Sequence, residues 1–364
     1  MAATAVGVLR LTLFTFIWFF VKGSDVSPGT IVLAQVLFRH GDRSPVEPFP
    51  TDKYKDSWPQ GLGALSKIGM QQQYHLGRFL RQRYMVKHSL LNTTYLHYQV
   101  NVRSTDVDRT LMSAYSNLAG LYPPDESQLW DDKIPWQPIP VHTVPRYEDR
   151  LLNEDVTCPT ADKEYAKALN SPAAKKMDLE NKAFYKYLTS HTGVLIENQT
   201  NVWTIADTFI CELAHNKSLP DWAGRWGNNT TVFKQACQVS DYQFTLKFDY
   251  NHKMQRLRGG PLLKEMIKNM NATISGETQV DQRTRLFMYS AHDSTVCPLL
   301  GSMKVYNHLM PPYAAAVIVE LYNTSGQFSV QVHYRNDSRD EPYLLQIPGT
   351  YPNMWGTVQP HSSV

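Results

Sequence analysis

Cysteine is scarce in this chain: 364 residues hold four, at positions 158, 211, 237 and 297. They show no Cys-x-x-Cys spacing and no Cys/His pattern. That excludes a disulfide-built mini-scaffold and gives no sign of structural zinc. Charge of one sign is also lacking. Lys and Arg number 36 against 33 Asp and Glu, a formal net charge of +3, far from the basic footprint of a nucleic-acid binder. After the N-terminal stretch no apolar run approaches the roughly 18 residues that would span a bilayer. Internal repeats and low-complexity tracts do not occur. What is present is core-forming material. Hydrophobic residues make up 42% and aromatic residues 12% of the chain, enough for one large domain or two ordinary ones and too much for a disordered or fibrous protein. Twelve histidines would make the protein strongly cationic in acid.

Residues 11–21 (LTLFTFIWFFV) are apolar apart from two Thr and are flanked by Arg10 and Lys22. As a helix this stretch rises only about 16 Å, half of a hydrocarbon core. With Val21 and Gly23 as small residues before a cut, residues 1–23 read as a cleaved signal peptide, the alternatives being an uncleaved anchor or a buried strand. Eight Asn-x-Ser/Thr sequons, at Asn92, Asn198, Asn216, Asn228, Asn229, Asn271, Asn323 and Asn336, support a luminal route. No KDEL-type ending or lipidation signal follows. The expectation is a secreted or lysosomal-lumen glycoprotein with no transmembrane helix in the mature chain.

Residues 30–38 (TIVLAQVLF) form the nearly continuous apolar run of a buried central strand. It ends directly in Arg39-His40-Gly41-Asp42-Arg43-Ser44-Pro45. Residues 64–86 carry helical spacing with a basic outer face. A second strand, 97–103, meets Ser104-Thr105. Thr105 and Asp108 have the spacing of a capping box, opening a helix that runs to about Leu121 and stops at Pro123-Pro124. From about 145 to 280 the pattern is helical and polar. Strand character returns at 285–290, just before His292-Asp293, and residues 315–322 and 327–335 alternate as a hairpin. The fold class is therefore α/β: a sheet flanked by helices, interrupted by a mostly helical smaller domain. The expected division is 24–145 with 281–364 as a discontinuous α/β domain and 146–280 as the insertion.

In open α/β sheets ligands bind beyond the carboxyl ends of the strands, and three such ends here carry charge. One holds Arg39, His40 and Arg43, the next Arg103, the third His292 and Asp293. Each alone could be a loop of solvated charges. Three arginines converging without an anion, however, would repel one another. Guanidinium forks match phosphate oxygens bidentately and stay charged at any relevant pH. A histidine among them is pushed toward its neutral, nucleophilic form. His40 then attacks phosphorus, the arginines stabilise the equatorial oxygens, and Asp293 protonates the leaving alkoxide. His292 is an orienting donor to phosphate. The scheme calls for no metal and no cofactor, and the sequence offers no ligand cluster.

The Arg-His-Gly-x-Arg-x-Pro motif at 39–45, with the late His292-Asp293 pair, resembles the histidine phosphatase superfamily in its acid phosphatase branch. The segments 103–114, 136–144 and 289–293 look like those of the animal prostatic and lysosomal acid phosphatases in particular, and the resemblance runs from about residue 30 to about 349. It implies a phosphoglycerate mutase-like fold, an α/β sandwich whose central mixed sheet is flanked by helices, with a smaller helical domain. It also implies His40 as the phosphohistidine nucleophile, Arg39, Arg43 and Arg103 as phosphate ligands, His292 as the second active-site histidine and Asp293 as proton donor. By the same resemblance the substrates are small phosphate monoesters, extending to phosphoproteins or phospholipids, and members of the family often form homodimers. The cysteines depart from the family. Cys158 and Cys211 stand where relatives place disulfide partners, but the partner of Cys211 falls near Ala316. The late Cys-rich turn appears as residues 349–354 without Cys. Cys237 and Cys297 are left for substitute pairings.

Other features read as ordinary structure: Trp130, Trp136 and Trp203 as core, His142 as structural, the basic stretch 78–88 as a solvated face, and Asp42 as a local hydrogen-bond partner. The leading expectation is an acid phosphatase of broad specificity and acidic optimum. The rival is a non-enzymatic glycoprotein that binds a phosphorylated or sulfated partner in the arginine pocket. An inositol-phosphate phosphatase or a mutase is a second enzymatic alternative.

Overall fold

The computed structural model describes residues 29–349 except 155, 228–229, 277–282 and 338, together with the backbone of 356–357. The expected signal peptide and most of the cysteine-free turn at 349–354 lie outside the described residues.

The strands in chain order are β1 (Thr30–Arg39), β2 (Val100–Ser104), β3 (Arg225–Trp226), β4 (Thr230–Thr231), β5 (Leu286–Ala291), β6 (Ala316–Thr324), β7 (Gln327–Arg335), β8 (Tyr343–Leu344) and β9 (Gly356–Thr357). The α-helices are α1 (Lys67–Arg81), α2 (Asp108–Leu121), α3 (Pro159–Leu169), α4 (Pro172–Glu180), α5 (Lys182–Thr192), α6 (Val202–Ala214), α7 (Val232–Phe248), α8 (His252–Arg258), α9 (Gly260–Ser275) and α10 (Asp293–Ser302). A mixed sheet runs β2-β5-β1-β6-β7-β8, with β9 also on β7, and β3-β4 form a separate ribbon. β1 and β2 both lie parallel to β5, and β6 is antiparallel to β1. This register sets Arg39 opposite Ala291 and Ser104 opposite Ser290. Three parallel strands thus end side by side.

Alternation along β1 supplies both faces of the core. Ala34, Val36 and Phe38 pack with Leu76 and Leu80 of α1, with Tyr84 just after it, and with Leu118 and Leu121 of α2. Leu33 and Leu37 pack with Phe248 of α7, Met266 of α9 and Leu300 of α10. A separate apolar cluster joins Phe49 to Phe184 and Leu188 of α5, Ile205 and Phe209 of α6, and Val232 and Val239 of α7. The β6–β7 hairpin turns on Ser325 and Gly326, both at positive φ (53° and 88°), as a two-residue primed turn requires.

Several local expectations are corrected. Val107 precedes α2 without a side-chain cap; the Thr105 hydroxyl is taken instead by Thr110 and His292. Trp130 and Trp136 are not core but exposed, 57% and 37%, with Trp130 Nε1 donating to the Trp136 carbonyl. The basic stretch 78–88 ends in a π-helical turn, Gln82–Lys87, and is not simply a solvated face. Arg83 forks onto the fully buried Glu320 of β6 (2.6 and 2.7 Å), which also accepts from the hydroxyls of Tyr84 and Tyr322. All four cysteines are free thiols, so the substitute pairings do not form. Cys211 faces the Tyr313 hydroxyl at 3.3 Å. His142 is structural through its backbone, which brackets β2 by bonds to Val102 and Ser104.

Candidate active site

His40 follows β1 and is locked by its main chain. Its N–H donates to the Ala291 carbonyl (3.0 Å) and its carbonyl accepts from Ala314 N–H (3.1 Å). The ring sits 2.8 Å, through Nδ1, from the Gly41 carbonyl. A carbonyl only accepts, so Nδ1 carries the proton and Nε2 keeps its lone pair. Burial, then the charges of Arg109, Arg39 and Arg43, hold the imidazole well below its ordinary pKa. Gly41 is required by closeness: a Cβ there would stand 2.3 Å from the Gly69 carbonyl oxygen, and one on Gly69 would stand 2.2 Å from that of Asp42. The nucleophile loop therefore seats directly on the first turn of α1.

Arg39 extends from the same strand end. It pairs with Asp293 (2.7 Å), donates to the Pro311 carbonyl and stacks 4.2 Å over the Tyr313 ring. Arg43 forks onto Asp207 of α6 at 2.9 and 3.0 Å. Arg103, expected as the third phosphate ligand, is elsewhere. It pairs with Asp149, a fully buried carboxylate that demands a cation, and it does not line the central cavity. Arg109, on the first turn of α2, takes the expected place. Its guanidinium lies 3.4 Å from His292 Nδ1 and lines the cavity with Arg39 and Arg43. Burial and then Arg43 push its pKa down to about 10. Arg39, Arg43 and Arg109 each keep a buried Nε–H with no partner, an arrangement that suits an oxyanion.

His292 follows β5 as the N-cap of α10 and contacts Thr105 Oγ1 through Nε2 at 3.0 Å. Both ring nitrogens thus have partners, so His292 supports Arg109 rather than presenting a free donor. Asp293 opens α10, with Oδ1 accepting from Ser294 N–H. Burial favours its neutral form, but Arg39 and then Arg43 overcome it and hold the carboxyl below its usual range. Behind these groups a cavity of about 610 Å³ is walled by Trp203, Ile210, Phe233, Phe244 and Phe248. Trp203 is therefore a cavity wall. Asp42 is buried and bonds Ser66 and His215.

Arg109, Asp207, Thr105 and Tyr313 were not read from the sequence as site residues. Only Arg109 had a signal: it sits in the first helical turn after a strand, where an anion site is expected.

A model of the histidine phosphatase superfamily (branch 2) matches residues 30–335. Prostatic acid phosphatase of Bos taurus is 42% identical over 324 residues, covering 87% of this chain and 80% of that protein. Lysosomal acid phosphatase of Rattus norvegicus is 42% identical over 319 residues, covering 86% and 73%. Among solved structures, the phytase from Citrobacter braakii superposes with a TM-score of 0.65 at 18% identity, covering 90% of this chain and 95% of that one, a likeness of fold.

Proposed function

Because this chain belongs to branch 2 of the histidine phosphatase superfamily, we propose that it is an acid phosphatase that hydrolyses phosphate monoesters through a phosphohistidine on His40. The observation that carries the reading is a proton-poor Nε2 fixed by the Gly41 carbonyl beside three guanidinium groups with unused N–H donors. His40 Nε2 attacks phosphorus as the ester P–O bond breaks. Arg39, Arg43 and Arg109 hold the equatorial oxygens, and Asp293 delivers a proton to the leaving alkoxide. Water then attacks the phosphohistidine, gives its proton to Asp293 and releases orthophosphate. Asp293 is ionised before substrate binds. A monoester whose second pKa is about 6 arrives in acid with one proton. Once phosphate engages Arg39, Asp293 loses its compensating charge and can take that proton. An acidic optimum follows.

The test is hydrolysis of an aryl phosphate near pH 5 with chelator present, followed by a substrate panel that includes inositol phosphates. No turnover, with phosphate still bound, would favour the anion-binding rival. The apolar walls of the cavity support leaving alcohols with hydrophobic groups, which brings in phospholipids that carry a terminal phosphate monoester as substrates.

The same proposal takes the protein through the secretory pathway. Five described sequon asparagines, Asn92, Asn198, Asn216, Asn271 and Asn336, are exposed and Asn323 is half-buried, which supports glycosylation. Exposed Trp130, Ile134, Trp136 and Tyr147 support a homodimer. The separate cluster of α5, α6 and α7 supports an inserted helical domain within 146–280, with α9 returned to the sheet.

A further inference from the structure

Asp207, Cys211 and His215 are spaced four residues apart along α6 and its C-cap, so they lie on one stripe. All three reach the segment around the nucleophile. Asp207 forks onto Arg43 and accepts from Val46 N–H. Cys211 touches Arg43 and Tyr313. His215 Nε2 lies 2.7 Å from Asp42 Oδ2, which also accepts from the Ser66 hydroxyl. Asp42 is fully buried and only two residues from His40. It joins the C-terminal end of α6 to the N-cap of α1 across the nucleophile loop.

We propose that the C-terminal turn of α6 is an acid-strengthened clamp on the nucleophile loop, with His215 as a positioning residue that acts through Asp42. This rests on the phosphatase reading above. Imidazole changes charge between about pH 5 and 8, and a bond between two charged groups is roughly twice as strong as one with a neutral partner. His215 faces Asp42 and the edge of the Trp58 ring, 5.0 Å between centroids. Lys217 lies over the Tyr54 and Trp58 rings. One residue past Cys211, buried Glu212 meets buried Asp52 from the loop after β1, with Lys53 and Lys217 as the nearby cations. Burial and Asp52 hold the Glu212 carboxyl well above its usual range, so that contact also needs a proton. The Glu212–Asp52 contact loosens as pH rises, and the clamp predicts the same of the His215–Asp42 bond.

The experiment compares wild type, His215→Gln, which keeps a neutral donor, and His215→Ala. The readouts are kcat/KM on an aryl phosphate from about pH 4.5 to 8, and inorganic phosphate binding by calorimetry at about pH 5 and 7.5. His215→Ala should lose roughly five- to tenfold at about pH 5 and less than about twofold at 7.5, with His215→Gln intermediate in acid and equal to wild type at 7.5. A loss that is uniform across pH, or no loss, overturns the clamp. If wild type turns nothing over, the phosphatase reading fails. Phosphate binding still decides the clamp by the same pH-dependent or uniform weakening. If His215→Ala does not fold, the acid-limited defect of His215→Gln carries the test.

Discussion

One carbonyl sets the tautomer of His40, and burial together with three guanidinium groups keeps its ring neutral. The same accounting separates two arginines six positions apart. Arg109→Ala removes a group from the cavity and should lower kcat/KM by roughly 10²- to 10³-fold with the fold intact. Arg103→Ala leaves buried Asp149 without its cation, and should cost about 3 kcal/mol of stability while kcat/KM stays within a fewfold. Denaturant melts and steady-state kinetics on both variants check the pair. Asp293→Ala should slow alkyl phosphates far more than activated aryl phosphates; equal losses would remove its acid role. Arg39, His40 and Arg43 were legible in the sequence because one strand end gathers them. Arg103 and Arg109 share one strand–helix junction. Choosing between them needs the position of Asp149, which no local spacing carries.

At the scale of elements, the site depends on how closely the nucleophile loop meets α1. Gly69→Ala would force the Asp42 carbonyl outward from 2.2 Å, and should cost about 2 kcal/mol with a larger fractional loss of kcat than of phosphate affinity. Equal stability and activity to wild type would show that the loop can shift freely. β1, β5 and the β6–β7 hairpin were plain from their apolar runs and turn. α10 was not, because Pro298 stands inside it and removes one helical N–H. Its cap comes from the His292 backbone and Thr295. The capping box at Thr105 failed because a tertiary partner, His292, outcompeted the local bond.

Over the whole molecule, two buried carboxyls pull stability in opposite directions with pH. Glu320 is held below its usual range despite burial, by Arg83 above all. Its contribution is present above the ordinary carboxylate range and is lost as pH falls through its folded value. Glu212 is raised, so its contribution is present in acid and lost as pH rises through its folded value. Glu212→Gln should therefore raise the melting temperature by about 2–4 °C near pH 8 and leave it unchanged near pH 4. Alkylation of unfolded, unreduced protein should titrate all four cysteines as thiols; a smaller number would show that a pair closes. The exposure of Trp130 and Trp136 had no trace in sequence, since aromatic residues look the same in a core and on a surface.

The proposed reaction passes through a covalent phosphoryl group on His40. Rapid quench of the enzyme with phosphate-labelled aryl phosphate tests it most directly. A protein-bound label is expected that survives base, is lost in acid, maps to the peptide carrying His40 and is absent from His40→Ala. Turnover without such a label, or a label retained by His40→Ala, would contradict it.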